Sequence, residues 1–117
     1  MSTSTAQPRE AIAEPANPLG LDGIEFIEYG CARPQALGQV LEMMGFKPVA
    51  RHRSREVMLY RQGSINIIVN AHLSRLAPEQ TEPDQPWLAA IALRVRDAGS
   101  AYRRALERGA WAVPSQV

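Results

Sequence analysis

The sequence predicts an α+β fold made of one complete βαβββ module followed by the first half of a second module. Three observations support this prediction. Residues 52–70, HRSREVMLYRQGSINIIVN, have the form of two strands joined by a tight polar turn. Strand-like segments alternate with two segments of helical periodicity. The phrases MGFKPV at 44–49 and RGAWAV at 108–113 each place a glycine turn between a helix and a strand, which indicates an internal repeat.

The first module is predicted to follow a flexible leader. Residues 1–18 are mostly Ser, Thr, Ala, Pro and Glu, and they cannot bury enough apolar surface to offset the entropy lost on ordering. Structure is expected from about Leu19. Residues 23–29, GIEFIEY, alternate imperfectly between apolar and polar side chains, which favours a first strand with one buried face.

A helix and a second strand are predicted next. Arg33-Pro34 favours a helix start, because a proline at the first helical position loses no hydrogen bond. Gly45 is predicted to cap the helix at its C-terminus. Residues 46–53 are predicted to form the second strand, which Pro48 confines to a sheet edge or a strand start. The apolar stripe of the helix comprises Leu37, Val40, Leu41 and Met44.

Residues 57–70 are predicted to form a hairpin. Gln62-Gly63-Ser64 supplies the turn, where a glycine adopts positive φ without steric cost. In the strand before the turn, Val57 and Leu59 point to one side and Met58 and Tyr60 to the other. In the strand after it, the apolar face comprises Ile65, Ile67 and Val69, and the mixed face comprises Asn66, Ile68 and Asn70.

The second half begins after a predicted linker at 71–86, where prolines interrupt any helix or strand ladder. Residues 87–95, WLAAIALRV, are predicted to form a strand that is buried on both faces for part of its length. Asp97 is predicted to cap a helix that ends at Gly109, and 111–113 to begin a further strand. The apolar stripe of this helix comprises Ala98, Ala101, Tyr102, Ala105 and Leu106.

The predicted domain organisation has four parts. They are the leader 1–18, the first βαβββ module 19–70, the Pro-rich linker 71–86 and a truncated second module 87–117. The missing strands are expected to leave the predicted strands at 87–95 and 111–113 with unpaired edges and exposed apolar surface, which favours aggregation or pairing with another chain.

Composition excludes several classes of function. The chain has 13 basic and 12 acidic residues in 117, with no basic stripe interleaved with aromatics, so a nucleic-acid partner is not expected. Arg51, Arg53 and Arg55 alternate and are predicted to form the solvated face of a strand. No apolar run approaches the roughly 20 residues of a membrane span. The single cysteine, Cys31, fits a reducing compartment, so a cytoplasmic protein with no membrane partner is expected.

Paired βαβββ modules are typical of the vicinal-oxygen-chelate, or glyoxalase-like, fold. The run 52–70, with NPLGLDGIEFIEY before it and ALRVRDAGSAYRRALERGA after it, resembles the N-terminal domain of bacterial 4-hydroxyphenylpyruvate dioxygenase. The resemblance covers nearly everything from Asn17 to Val113. It implies a parent enzyme that oxidises 4-hydroxyphenylpyruvate to homogentisate in tyrosine breakdown, using O₂ and a non-haem Fe(II) held by two histidines and a glutamate.

The same resemblance implies that this chain is not the catalytic part. In the family, the iron ligands and the substrate pocket belong to the C-terminal domain. By rough alignment, the positions at which a metal-bearing module carries its ligands hold Ile24 and Ala90 here, and aliphatic groups cannot bind iron. We therefore expect no catalytic, cofactor-binding or metal-binding residue in this chain, with Fe(II) confined to the full-length enzyme. The expected partner is the missing C-terminal catalytic domain or another copy of the chain.

Several residues are candidates for a functional site. His52 and His72, with Glu25 or Glu28, nominally match a set of two histidines and one carboxylate, but their spacing does not support a metal site and favours surface histidines. Glu25 and Glu28 near Tyr29 suggest an acid and base pair. Residues three apart on a strand face opposite sides of the sheet, however, which favours separate polar contacts.

Two further candidates stay open. Asn66 and Asn70 share a strand face, and their amides suit either a ligand or neighbouring polar groups about equally. Cys31 lies near Arg33, whose charge favours a lowered thiol pKa, but no histidine base is close in sequence and a packed thiol is favoured.

Two alternative functions remain. One is a metal-free small-molecule-binding protein of the same superfamily, in which two chains complete a cavity. The other is the dioxygenase-like domain that 3-dehydroshikimate dehydratases carry beside a sugar-isomerase-like barrel. The 18-residue leader leaves no room for an upstream barrel and argues against the second alternative.

Overall fold

The computed structural model describes residues 15–79, 82 and 85–113, except for the side chains of 74–76. The predicted leader lies outside these residues from 1 to 14. The described chain forms two compact units. One spans Leu21–Arg96, and the other combines the residues before Leu21 with those after Arg96.

The larger unit contains a five-stranded mixed sheet and one α-helix. Its elements are β1 (Leu21–Gly30), α1 (Pro34–Met43), β2 (Lys47–Arg51), β3 (Val57–Gln62), β4 (Ile65–Asn70), a 3-10 helix (Ala71–Leu76) and β5 (Trp87–Val95). The strand order is β2-β3-β4-β1-β5. β1 pairs in parallel with β4 and antiparallel with β5, while β3 pairs antiparallel with both β2 and β4. The predicted α+β class and the βαβββ order are confirmed.

α1 covers one face of the sheet and forms the core with it. The buried cluster comprises Cys31, Leu41, Phe46, Tyr60 and Val69, and Leu37, Met58 and Ile67 pack against it. Met58 and Tyr60 of β3 and Ile67 and Val69 of β4 therefore point towards the helix, as their alternation predicts. The other face of β4 presents Asn66, Ile68 and Asn70.

The hairpin between β3 and β4 has the predicted geometry. Gln62 pairs with Ile65, so the turn contains only two residues. The first of these, Gly63, has φ 60°, a left-handed conformation that a side chain with a Cβ adopts less readily. The turn chemistry thus sets the register, which places Met58 beside Val69 and Tyr60 beside Ile67.

The two helices end in the same hydrogen-bonded motif. After α1, Gly45 has φ 101°, its N–H donates to the carbonyl of Glu42, and the N–H of Phe46 donates to the carbonyl of Leu41 at 2.9 Å. After the second helix, Gly109 has φ 103°, and the N–H of Ala110 donates to the carbonyl of Ala105 at 3.0 Å. Both are Schellman caps, in which the glycine satisfies carbonyls that the helix leaves free.

β2 is shorter than predicted and ends at Arg51. The Nδ1 atom of His52 accepts hydrogen bonds from the backbone N–H groups of Ser54 and Arg55, each at 3.1 Å. These bonds bend the chain out of the strand, so Arg53 and Arg55 lie in the loop before β3. They are exposed, as expected, but the prediction that they belong to a strand is wrong.

β5 is more exposed than predicted. Leu88 is 54% exposed, Ile91 51% and Leu93 54%, so the expectation of burial on both faces is wrong. The reason is that β5 is the last strand of the described sheet, paired only with β1. Within the predicted linker, residues 71–76 form a 3-10 helix whose first turn is capped by the side chain of Asn70.

The smaller unit contains α2 (Ala98–Glu107). Asp97 occupies the N-cap position with an extended backbone, but its side chain makes no capping hydrogen bond. Arg104 donates from Nη1 to the carbonyl of Pro18 at 2.7 Å. Residues 110–113 form no strand, and Trp111 is 93% exposed, which corrects the predicted strand at 111–113. Neither α-helix among the described residues has the length and apolarity that a membrane crossing requires.

Candidate functional site

The sheet face opposite α1 gathers most of the polar candidates. We call it the polar sheet face and define it by Glu25, Glu28, Arg61, Asn66, Asn70 and Arg94, which come from β1, β3, β4 and β5. Four strands contribute because β3, β4, β1 and β5 are consecutive in the sheet, although β1 and β5 are distant from the β3–β4 hairpin in sequence.

Asn66 links three strands through its amide. Arg61 donates from Nε to Asn66 Oδ1 at 2.7 Å, and Asn66 donates from Nδ2 to the backbone carbonyl of Glu25 at 3.0 Å. Both ends of the amide therefore have partners within the sheet. This arrangement fits the structural alternative for Asn66, in which the amide satisfies neighbouring polar groups.

Glu25 forms an exposed ion pair with Arg94, whose Nε lies 2.8 Å from Glu25 Oε1. The hydrogen bond and the negative charge of Glu25 raise the pKa of the Arg94 guanidinium. The pairing of β1 with β5 shifts register between Ile24 and Phe26, which inserts Glu25 as an extra residue in β1. Sequence alternation alone does not reveal this irregularity.

Glu28 has a different partner from Glu25. Asn70 donates from Nδ2 to Glu28 Oε2 at 2.7 Å, and Asn70 Oδ1 accepts from the backbone N–H of His72 at 3.0 Å. Glu28 therefore interacts with β4 and Glu25 with β5. The two carboxylates make the separate polar contacts that the sequence favours. Both lie on the polar sheet face, however, so the prediction that they face opposite sides is wrong, because the extra residue in β1 breaks the alternation.

The positions predicted to correspond to metal ligands are not opposite one another. Ile24 pairs with Leu93, whereas Ala90 pairs with Glu28. Glu28 in turn lies beside Ile68, and Ile68 beside Leu59. The β1 position beside Ala90 therefore carries a carboxylate in a row of aliphatic side chains.

The histidines lie in different elements of the larger unit. His52 uses Nδ1 to cap the loop after β2, and His72 is exposed in the 3-10 helix after β4. Among the described residues, no group of three His, Cys, Asp or Glu side chains converges as a metal site would require. These residues therefore do not fit the iron of two histidines and a glutamate that the resemblance implies for the parent enzyme.

Cys31 is a core residue, only 1% exposed. Burial raises the pKa of its thiol above the ordinary value of 9.0, and the negative charge of Glu56 acts in the same direction. A hydrogen bond from the backbone of Arg33 lowers the pKa, but burial has the larger effect. Cys31 is therefore the packed thiol that the sequence favours, because the effect of desolvation on its pKa outweighs that of Arg33.

The chemistry open to the polar sheet face is limited. Both asparagine amides use a donor and an acceptor, Asn66 within the sheet and Asn70 in the sheet and the 3-10 helix after it. Glu28 Oε1 is without a hydrogen bond in the part of the chain that the structure describes. A single carboxylate oxygen in an aliphatic row can accept a hydrogen bond, but it does not provide the three or more ligands of a protein metal site.

A βαβββ module whose β1 pairs antiparallel with the first strand of a following repeat defines a domain of the glyoxalase-like, or vicinal-oxygen-chelate, class. The sequence model of the family described as Hydroxyphenylpyruvate dioxygenase, HPPD, N-terminal matches residues 16–117. The chain belongs to this family of 4-hydroxyphenylpyruvate dioxygenase N-terminal domains.

Individual proteins agree with this assignment. A 4-hydroxyphenylpyruvate dioxygenase of Pseudomonas sp. (strain P.J. 874) is 47% identical over 94 residues, which are 80% of this chain and 26% of that protein. A 3-dehydroshikimate dehydratase of Pseudomonas aeruginosa is 44% identical over 90 residues, 75% of this chain and 14% of that protein. The chain thus spans about a quarter or less of the length of these relatives.

A solved structure supports the fold as well. The protein described as a xylose isomerase-like TIM barrel/4-hydroxyphenylpyruvate dioxygenase fusion matches with a TM-score of 0.63 and 34% identity. The match covers 87% of this chain and 17% of that chain. The glyoxalase-like module therefore occurs beside a barrel in at least one relative.

Proposed function

We propose that this chain is a scaffold module of a 4-hydroxyphenylpyruvate dioxygenase-like protein, and that iron and substrate are held by another part of that protein. The observation that carries the proposal is the family match over residues 16–117. The described residues contribute core packing and a polar sheet face whose two asparagine amides have partners within the chain. In the parent protein, Fe(II) would supply O₂ activation at ligands outside the described part of this chain.

The proposed partner of the module is the remainder of the dioxygenase-like protein or a second copy of this chain. The supporting observation is β5, which pairs on one side with β1 and has half-exposed Leu88, Ile91 and Leu93. A free strand edge beside apolar side chains favours further strand pairing, because it leaves backbone donors and acceptors available. We further propose a cytoplasmic location, to which the single cysteine is suited.

A second candidate is the dioxygenase-like module of a 3-dehydroshikimate dehydratase. The 44% identity to the Pseudomonas aeruginosa dehydratase favours it, together with the structural match to a barrel fusion protein. The module would have the same scaffold role in either parent. Expression of the coding region around this chain, followed by assays for homogentisate formation and for 3-dehydroshikimate dehydration, distinguishes the two.

The scaffold proposal is tested by co-expression of this chain with the part of the 47% identical Pseudomonas dioxygenase that follows the matched region. We expect the two polypeptides to co-purify. Ile91→Lys, which places a charge on exposed β5, should abolish co-purification. Val49→Lys is the matched control, because Val49 is 48% exposed on β2, at the far edge of the sheet. Failure of the unmodified chain to co-purify, or equal loss with both variants, would contradict the proposal.

A further inference from the structure

A cleft on the α1 side of the sheet is not used by the proposed scaffold role. It has a volume of about 150 Å³ and opens between the first turn of α1 and strands β2 and β3. Its lining residues are Pro34, Gln35, Arg51, Glu56, Val57, Met58 and Tyr60. A cavity of about 150 Å³ with apolar walls is large enough to admit one benzene ring.

The floor of the cleft is apolar. Val57, Met58 and Tyr60 come from β3, and Pro34 contributes a ring from α1. Tyr60 is only 6% exposed, so its ring is fixed in the core beneath α1.

The rim of the cleft carries an available positive charge. Arg51 is exposed at the end of β2 and forms no ion pair in the described part of the chain. The first turn of α1 has no acidic residue and no side-chain cap, so the positive end of the helix is not neutralised by its own side chains. Glu56 is the opposing charge at the rim, and it also forms no ion pair among the described residues.

We propose that this cleft binds a monocarboxylate with a compact apolar tail of about one six-membered ring. The tail occupies the floor formed by Pro34, Met58 and Tyr60, and the carboxylate pairs with Arg51 beside the first turn of α1. An arginine fork suits a carboxylate because it donates two parallel hydrogen bonds. The site lies across the sheet from the polar sheet face and is independent of the scaffold proposal.

Benzoate is a suitable probe, and benzamide is its uncharged counterpart of nearly equal shape. We expect benzoate to bind saturably in a backbone amide NMR titration, with shifts centred on Gln35, Met58 and Tyr60. Benzamide should bind at least about tenfold more weakly, since it cannot form the charged pair with Arg51. Equal binding of the two probes, or no saturation with benzoate below about 10 mM, would overturn the proposal.

Three variants test how the charged residues at the rim of the cleft contribute to benzoate binding. Arg51→Met should weaken benzoate binding about tenfold or more, while Arg53→Met, an exposed neighbour outside the cleft lining, should leave it unchanged. Glu56→Gln should strengthen binding, because it removes a charge of the same sign as the ligand. Unchanged thermal melting of each variant establishes that the fold is intact. If Arg51→Met has no effect, or Arg53→Met has an equal one, the cleft is not a carboxylate site.

Discussion

At the residue scale, the contact between Tyr60 and Gly38 determines how closely α1 approaches the sheet. Gly38 is buried in the middle of α1, where glycine is ordinarily unfavourable. A Cβ added at Gly38 would collide with the hydroxyl of Tyr60 and lie 3.1 Å from its Cζ. The glycine therefore allows a large aromatic side chain to fill the core beneath the helix.

Gly38→Ala should lower the free energy of unfolding by about 1–2 kcal/mol, although alanine is the better helix former. The overlap with Tyr60 outweighs the gain in helix propensity. Tyr60→Phe should recover at least half of the loss in the double variant, because it removes the colliding oxygen. Urea denaturation of the two single variants and the double variant measures this coupling. Additive effects of the two changes would refute the proposed contact.

Two buried acids make stability sensitive to alkaline pH. Burial raises the pKa of Cys31 above its ordinary 9.0 and that of Tyr60 above its ordinary 10.0, so folding favours the protonated forms. The folded state then keeps protons that the unfolded state has lost. Stability from these groups is complete below about pH 9 and falls as pH rises through the gap between unfolded and folded pKa values.

We expect the urea midpoint of the unmodified chain to fall as pH rises from about 8 to about 10.5, a range that spans the ordinary pKa values of cysteine and tyrosine. The midpoints of Cys31→Ala and Tyr60→Phe should fall less steeply over the same range. Tyr102→Phe, at a ring that is 56% exposed, is the control and should keep the slope of the unmodified chain. An identical pH slope in all four proteins would contradict the assignment.

At the element scale, the two helix ends show which structural features a local sequence pattern predicts. The repeated phrases around Gly45 and Gly109 predict a glycine turn in both places, and both glycines have φ near 100° with matching hydrogen bonds. The strand expected after each glycine forms only after Gly45, as β2. A cap depends on five or six adjacent residues, whereas a strand requires a neighbouring strand.

Gly45→Ala should destabilise the cap of α1 by about 1–2 kcal/mol, because a side chain at this φ is strained. The added Cβ would also lie 2.6 Å from Gln62 Nε2. Hydrogen exchange at the Phe46 amide, which donates to Leu41, should accelerate about tenfold. Gly109→Ala is the matched variant with free space around the new Cβ, and it should accelerate exchange at Ala110 instead. Unchanged exchange at Phe46 would contradict this account of the cap.

The loop between β2 and β3 shows an element boundary that periodicity misses. The alternating arginines before Glu56 suggest a strand, but the side chain of His52 accepts two backbone hydrogen bonds and terminates β2. A side chain that competes for backbone donors overrides alternation.

At the scale of the whole molecule, the described residues form a sheet with one helix-covered face and one polar face, but no converging metal ligands. We therefore expect anaerobic Fe(II) titration of the purified chain, followed by calorimetry, to give no stoichiometric binding. His52→Ala and His72→Ala should leave the titration unchanged. One-to-one binding that either substitution abolishes would contradict the scaffold proposal and favour a metal site in this chain.

The sequence by itself determined the βαβββ order, the two faces of the hairpin, the turn at Gly63, both glycine caps and the family. All of these depend on residue alternation, on φ at single glycines or on a continuous stretch of characteristic sequence, which are local properties. Only the tertiary structure decided that Glu25 pairs with Arg94 and Glu28 with Asn70, that β5 is exposed, and that Arg51 and Tyr60 line one cleft. Strand register and helix placement bring these residues together from distant positions, and both depend on packing across the whole sheet.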